Sequence, residues 1–159
     1  MIHDKFPKTV ILRHRKENLK KCSLRGLESR EDFSFYTYPR SFPEQLDNYF
    51  MLAIDGEELS EKDKDLGIFL IDGTWKLAEK MTNNLPIYPN LQKRRLPNCL
   101  KTAYPRVQTG CLDPERGLAS IEALYATFVI LGKNPEGLLD DYHFKKEFLE
   151  LNREFFKKE

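Results

Sequence analysis

No run of about 18 apolar residues occurs in the 159-residue chain, so no membrane-crossing helix is expected. The opening MIHDKFPKTVILRHRK lacks an apolar signal core and a small-residue cleavage site, and a cytoplasmic location is the expectation. No repeat, low-complexity tract or long linker divides the chain, which points to a single domain over residues 1–159. Cysteine is scarce: Cys22, Cys99 and Cys111 are odd in number, far apart and without a C-x-x-C pair. That spacing argues against a disulfide framework or a structural zinc site, and reduced, buried thiols are expected. His3, His14 and His143 are scattered without ligand spacing, so no metal is expected.

Net charge is also small, at +1, but it is unevenly spread. Residues 1–30 carry nine Lys/Arg against three Asp/Glu, and KRRLPNCLKTAYPR (93–106) carries five basic residues and no acid. Residues 44–65 lean the other way, with eight acids against two lysines. Segregated basic stretches on a near-neutral chain can mark a polyanion-binding face, although charge alone favours ordinary solvated surfaces.

The apolar pattern supplies the elements. TVILRH (9–14) reads as a short buried strand, and RKENLKKCSLRGLE (15–28) as a basic helix with Leu19, Cys22 and Leu27 inward. FSFYTYP (33–39) alternates and is aromatic, so it reads as a strand up to Pro39. YFMLAID (49–55) and IFLID (68–72) are continuous apolar runs that end in Asp-Gly, as parallel strands covered on both faces do. Between them SEKD (60–63) looks like an N-capped short helix. A helix follows Thr74 and is stopped by NNLP, and residues 96–117 form a long loop with a short strand inside it. LASIEALYATFVIL (118–131) is apolar almost all round, as a central buried helix is. Phe144, Phe148, Leu151 and Phe155 mark one amphipathic C-terminal helix. The fold class is α/β: one layer of mostly parallel sheet with helices on both faces.

Several residues carry chemistry. Asp72 ends a buried strand beside Gly73, where it can act as a general base, hold a ligand's ammonium, or cap the next helix. Thr74 is the competing cap. Trp75, the only tryptophan, is either core or the wall of a pocket. Glu122 is the only charge between Leu118 and Leu131, so it either meets a buried Arg or Lys or faces a site. Residues 117–120 open that helix with amides able to hold a carboxylate or phosphate. RRLP (94–97) offers two arginines for RNA phosphates, or for solvent.

Taken together, IDGTW (71–75), RRLP (94–97), TAYPR (102–106) and GLASIEALYA (117–126) resemble the DTW/aminocarboxypropyltransferase superfamily. Its members carry D-x-[ST]-W and a later [LA]-S-x-x-E-A on a helix. The tRNA-uridine branch matches Asp72-Gly73-Thr74-Trp75 and Tyr104-x-Arg106, but its frequent cysteine cluster is missing here. The branch acting on small-subunit rRNA matches KKCSLRGL (20–27), LSEKD (59–63) and FLELNREFF (148–156). Its D-C-S-W and A-N-P-x-N-Y-G patterns are kept only in part, as Asp72 to Trp75 and Ala103-Tyr104-Pro105. Both branches stay open.

The resemblance implies a SPOUT-like fold with a trefoil knot in the C-terminal half, a rare exception to unthreaded connections. It implies S-adenosylmethionine as cofactor and transfer of its 3-amino-3-carboxypropyl group to N3 of a uridine or pseudouridine in tRNA or rRNA. All three carbons on the sulfonium are electrophilic, so the product depends on which one is held in line with the nucleophile. Asp72 is the implied catalytic base. The cofactor pocket is expected from the 53–56 turn (Ile54, Asp55), from Asp72, Thr74 and Trp75, from Leu96 and Pro97, and from Leu118, Ala119, Ser120 and Glu122. Lys20, Lys21, Arg25, Arg94, Arg95 and Arg106 are expected to meet RNA phosphates, and a monomer is expected. Competing expectations are a methyltransferase of the same fold and a non-catalytic RNA-binding adaptor.

Overall fold

The computed structural model describes residues 7–16, 23–104 and 118–158. Contacts group the chain into two compact units, one built from residues 1–57 and 65–95, the other from 58–64 and 96–159.

The first unit holds a five-stranded sheet. Its strands are β1 (Thr9–His14), β2 (Phe33–Tyr38), β3 (Tyr49–Glu58), β4 (Gly67–Asp72) and β5 (Gln92–Arg95), in the order β2-β1-β4-β3-β5. β1 pairs parallel with both β2 and β4, and β3 pairs parallel with β4. All six residues of β1 are buried, as expected for a strand flanked on both sides and covered on its faces. Helix α1 (Trp75–Asn83) packs against β1 and β4. Val10, Leu12, Tyr38, Leu46, Met51, Phe69 and Met81 form the core on that side.

Two glycines set close approaches. A Cβ at Gly67 would collide with the Tyr49 ring across the β3–β4 pair. That ring is anchored, because the Tyr49 hydroxyl donates to the Lys8 carbonyl at 2.6 Å. Gly56 has φ +101°, and a Cβ there would lie 2.8 Å from the Lys93 carbonyl oxygen.

In the second unit a 3-10 turn (Glu61–Asp63) is capped by the Asp63 carboxylate, which accepts from Ser60 N at 3.3 Å. Helix α2 (Ser120–Leu131) buries Ile121, Leu124, Phe128 and Ile130. It ends at Gly132, φ +75°, where Lys133 N donates to Phe128 O at 2.8 Å and Gly132 N to Val129 O at 3.1 Å, a Schellman turn.

Several expected elements differ. The described end of the 15–28 helix, residues 23–26, forms turns, with Gly26 at φ +95°. A residue in that region ends helices rather than continuing them. β3 does not stop at Asp55-Gly56 but runs on to Glu58, so the turn expected at 53–56 is strand. No strand occurs among the described residues of the 96–117 loop; the fifth strand is Gln92–Arg95, just before it. The C-terminal helix is two helices, α3 (Lys145–Leu151) and α4 (Arg153–Lys158), divided at Asn152. The buried Asn152 amide accepts from Lys101 N (2.8 Å) and donates to Lys101 O (2.8 Å) and Phe148 O (2.9 Å). After that break Leu151 is 52% exposed, and Phe156 instead packs on Tyr125 and Phe148. Cys99, expected to be buried, is exposed.

Candidate functional site

The chain leaves β1 toward β2 on one side, whereas β4 leads through α1 to β5 on the other. Connections therefore diverge from the carboxyl ends of β1 and β4, the place where open α/β sheets leave a crevice. The two strand ends meet in register, Arg13 opposite Asp72. Both residues are buried. Arg13 Nε donates to Asp72 Oδ2 at 3.4 Å, and Arg13 Nη1 donates to Glu28 Oε2 at 3.0 Å. The guanidinium also lies 4.7 Å from the centre of the Phe35 ring. Glu28 Oε1 accepts from Gly26 N at 2.9 Å, which ties the 23–28 turns to the same cluster. Burial pushes the Glu28 carboxyl up, but hydrogen bonds from the backbone and from Arg13 outweigh it and leave the group below its ordinary value.

Successive strand residues face opposite ways, so His14 lies on the other side of the sheet from Arg13. It stacks near Tyr38, with ring centres 5.3 Å apart, and its Nδ1 accepts from Lys16 N at 3.1 Å. Burial lowers its pKa, and the charges of Lys16, Arg15 and Lys80 lower it further.

At the start of α2 a second cluster centres on Glu122, whose side chain is fully buried. Oε1 accepts from Ala119 N (2.8 Å) and the Thr102 hydroxyl (2.6 Å). Oε2 accepts from Ala103 N (2.9 Å) and the Tyr142 hydroxyl (2.9 Å). Four donors thus meet the four lone-pair positions of one carboxylate. The donors to Glu122 are two hydroxyls and two backbone amides rather than a buried Arg or Lys. Hydroxyls and backbone amides offset its desolvation instead.

The other expected site residues fall as follows. Thr74 occupies the N-cap position of α1 without a side-chain capping hydrogen bond, and its carbonyl accepts from Ala78 N at 2.7 Å. Trp75 is the first residue of that helix. Ile54 is 92% exposed, and Asp55 pairs with Lys93 at 3.4 Å. Leu96, Pro97, Leu118 and Ser120 are half-buried, and Ala119 is buried. Arg25 is exposed and Arg95 half-buried. Arg94 is buried rather than solvent-facing. Its guanidinium donates to Gln92 Oε1 (2.7 Å) and Lys93 O (2.9 Å) and lies 3.7 Å from Glu57. Lys20, Lys21 and Arg106 lie outside the described residues.

Arg13, Glu28, Thr102 and Tyr142 were not picked out from the sequence. Arg13 carried a usable signal, since it is a charge inside a buried strand, as Glu122 is inside a buried helix. A cavity of about 160 Å³ lined by Asn48, Tyr49, Leu66, Asn90 and Gln92 lies toward the opposite end of the sheet, where β3 and β4 begin. No carboxylate or basic side chain lines it, and Arg13 and Asp72 are at the other end of their strands. Among the described residues no group of three or more His, Cys, Asp or Glu side chains is placed to hold a metal, and no helix is long and apolar enough to cross a membrane.

A family model described as the DTW domain matches residues 1–155. The structure is similar to that described as the SAM-dependent rRNA:acp-transferase Tsr3 from Vulcanisaeta distributa. The TM-score is 0.75 at 22% identity, over 96% of this chain and 82% of that one. No curated protein matches significantly.

Proposed function

The chain belongs to the DTW-domain family, and from that premise we propose that it transfers the 3-amino-3-carboxypropyl group of S-adenosylmethionine to N3 of a uridine or pseudouridine in tRNA or small-subunit rRNA. The observation that carries this proposal is the buried Asp72 carboxylate, held by Arg13 where the connections of β1 and β4 diverge. It stands on the family's D-x-[ST]-W motif. The structural neighbour, described as an rRNA:acp-transferase dependent on the same cofactor, is consistent with it.

The residues suit the cofactor's chemistry. Asp72 is a carboxylate suited to a cationic ligand or a uridine imide proton. Half-buried Leu96 and Leu118 and buried Ala119 offer apolar surface. S-adenosylmethionine, when bound, would supply the electrophilic carbon, its C–S bond breaking to release neutral methylthioadenosine as the N3–C bond forms. We assign cofactor contacts to Asp72, Thr74, Trp75, Leu96, Pro97, Leu118, Ala119 and Ser120. Glu122 acts by fixing the Ala119 amide and the 102–103 backbone. Asp72 orients and accepts the N3 proton. Arg25 and Arg95 meet RNA phosphates, together with Lys20, Lys21 and Arg106. Arg94 braces β5 instead. The proposal includes one working DTW domain over 1–159, a SPOUT-like knotted C-terminal half traceable in an electron-density map, and a monomeric, cytoplasmic protein.

Incubation with RNA and cofactor labelled separately in the methyl and the carboxypropyl carbons tests the reaction. Carboxypropyl label is expected in RNA. Methyl label alone would make the chain a methyltransferase. RNA binding without either label, and without cofactor binding by calorimetry, would make it an adaptor.

A further inference from the structure

We infer that Arg13 and Glu28 are positioning residues for Asp72, a role that rests on the function proposed above. Arg13 sits in a wholly buried strand among Val10, Ile11 and Leu12. A guanidinium there loses hydration, and apolar replacements of buried ion pairs are often no less stable than the pair itself. Stability is therefore a weak reason for this arginine. The β1–β4 register does not need it either, because Val10 to Arg13 already pair along Phe69 to Asp72 through the backbone.

What the guanidinium does provide is a fixed direction. One edge meets Asp72 through Nε, a terminal nitrogen meets Glu28, and Phe35 lies 4.7 Å away. Glu28 is held in turn by Gly26 N at 2.9 Å. Contacts at three sides leave the guanidinium little freedom to turn, and its planar fork passes that constraint to Asp72 Oδ2. A displacement reaction needs its base and nucleophile placed to within a fraction of an ångström, and an error of about 1 Å can cost about 100-fold in rate. The same chain of contacts joins Asp72 to the turns that carry Arg25, one of the residues assigned to RNA. The RNA-facing segment and the reacting carboxylate thus share one pair of side chains.

The test is steady-state transfer by Arg13→Lys, Glu28→Gln, Asp72→Asn and the double variant Arg13→Lys/Asp72→Asn, each checked for a native melting transition. Arg13→Lys keeps the charge and loses the fork; kcat should fall about 10- to 100-fold with KM for RNA and cofactor within about threefold. Glu28→Gln should fall less. The double variant should be no slower than Asp72→Asn alone, because Arg13 acts through Asp72. Losses that multiply, or a rise in KM at unchanged kcat, would overturn the positioning role. A fully active Asp72→Asn would overturn both Asp72 as base and the role built on it. A second readout does not depend on activity: the Arg13 Nε–H resonance should be slow to exchange and should move in Asp72→Asn and Glu28→Gln. An unmoved resonance overturns the contact itself. Wild-type protein that transfers nothing while the resonance moves would instead remove the proposed reaction, and the positioning role with it.

Discussion

The Tyr142 hydroxyl donates to Glu122 Oε2 at 2.9 Å, linking the segment before α3 to the first turn of α2 inside the second unit. Removing only that donor leaves a buried carboxylate one hydrogen bond short. Tyr142→Phe is expected to cost about 1.5–3 kcal/mol, the range for hydrogen bonds to charged groups. Glu122→Ala strands four donors at once and should cost more. Urea denaturation of the two variants gives both values, and equal stability of Tyr142→Phe and the parent would show that the bond contributes nothing.

Acid should destabilise the fold in two stages. His14 has a folded pKa below its ordinary 6.5, so the unfolded chain takes up this proton first. Stability therefore falls as pH drops below about 6.5, with a slope of at most about 1.4 kcal/mol per pH unit for one proton. Burial is the largest cause, and the charges of Lys16, Arg15 and Lys80 add to it by repelling the imidazolium. Glu28, also lowered, adds stability that is present above its ordinary 4.5 and is lost as pH falls through its folded value. Denaturation curves at pH 7.5, 6 and 5 should show the first loss, and His14→Gln should flatten it.

The two neighbouring arginines of RRLP should separate by assay. Arg95→Ala is expected to weaken RNA binding and reduce the salt slope by about 1, as loss of one phosphate contact does. Arg94→Ala is expected to lower stability instead, because its guanidinium is buried against Gln92 and Glu57. Filter binding at several salt concentrations, paired with melting curves, distinguishes the two.

Gly67→Ala should destabilise by about 1–3 kcal/mol, the usual cost of overpacking. The new methyl would meet the Tyr49 ring, which its hydroxyl bond to Lys8 keeps from swinging away. Tyr49→Ala in the same chain should recover part of that loss by thermal melting.

Cys99 should react in the native state. Its side chain is exposed, so a maleimide added without denaturant should label the Cys99 peptide fully, as peptide mass spectrometry would show.

Local pattern was enough for three of the strands and for α2. β1, β2 and β4 follow from apolar or alternating runs, and α2 from a segment apolar almost all round. Three of the failures were decided by contacts outside the local pattern. β3 passes Asp55-Gly56 because Gly56 lets the Lys93 backbone come close. The C-terminal helix breaks because Asn152 pairs with Lys101, 51 residues away. Arg94 looked like a surface charge until Gln92 and Glu57 closed around it. At the site, Asp72 and Glu122 were visible as lone acids in apolar surroundings. Arg13 carried the same mark. Glu28 carried none, since an acid in a basic, turn-forming stretch resembles many others.

The partners Arg13 and Asp72 are 59 residues apart in the chain. Pairings of that separation carry a loop-closure entropy that must be met before they form. Until β4 docks beside β1, Arg13 lacks its Asp72 contact, and an arginine in an apolar strand disfavours collapse around any other neighbour. The ion pair at the carboxyl ends of β1 and β4 therefore penalises mispairing: a chain with another strand beside β1 leaves the Arg13 charge without Asp72.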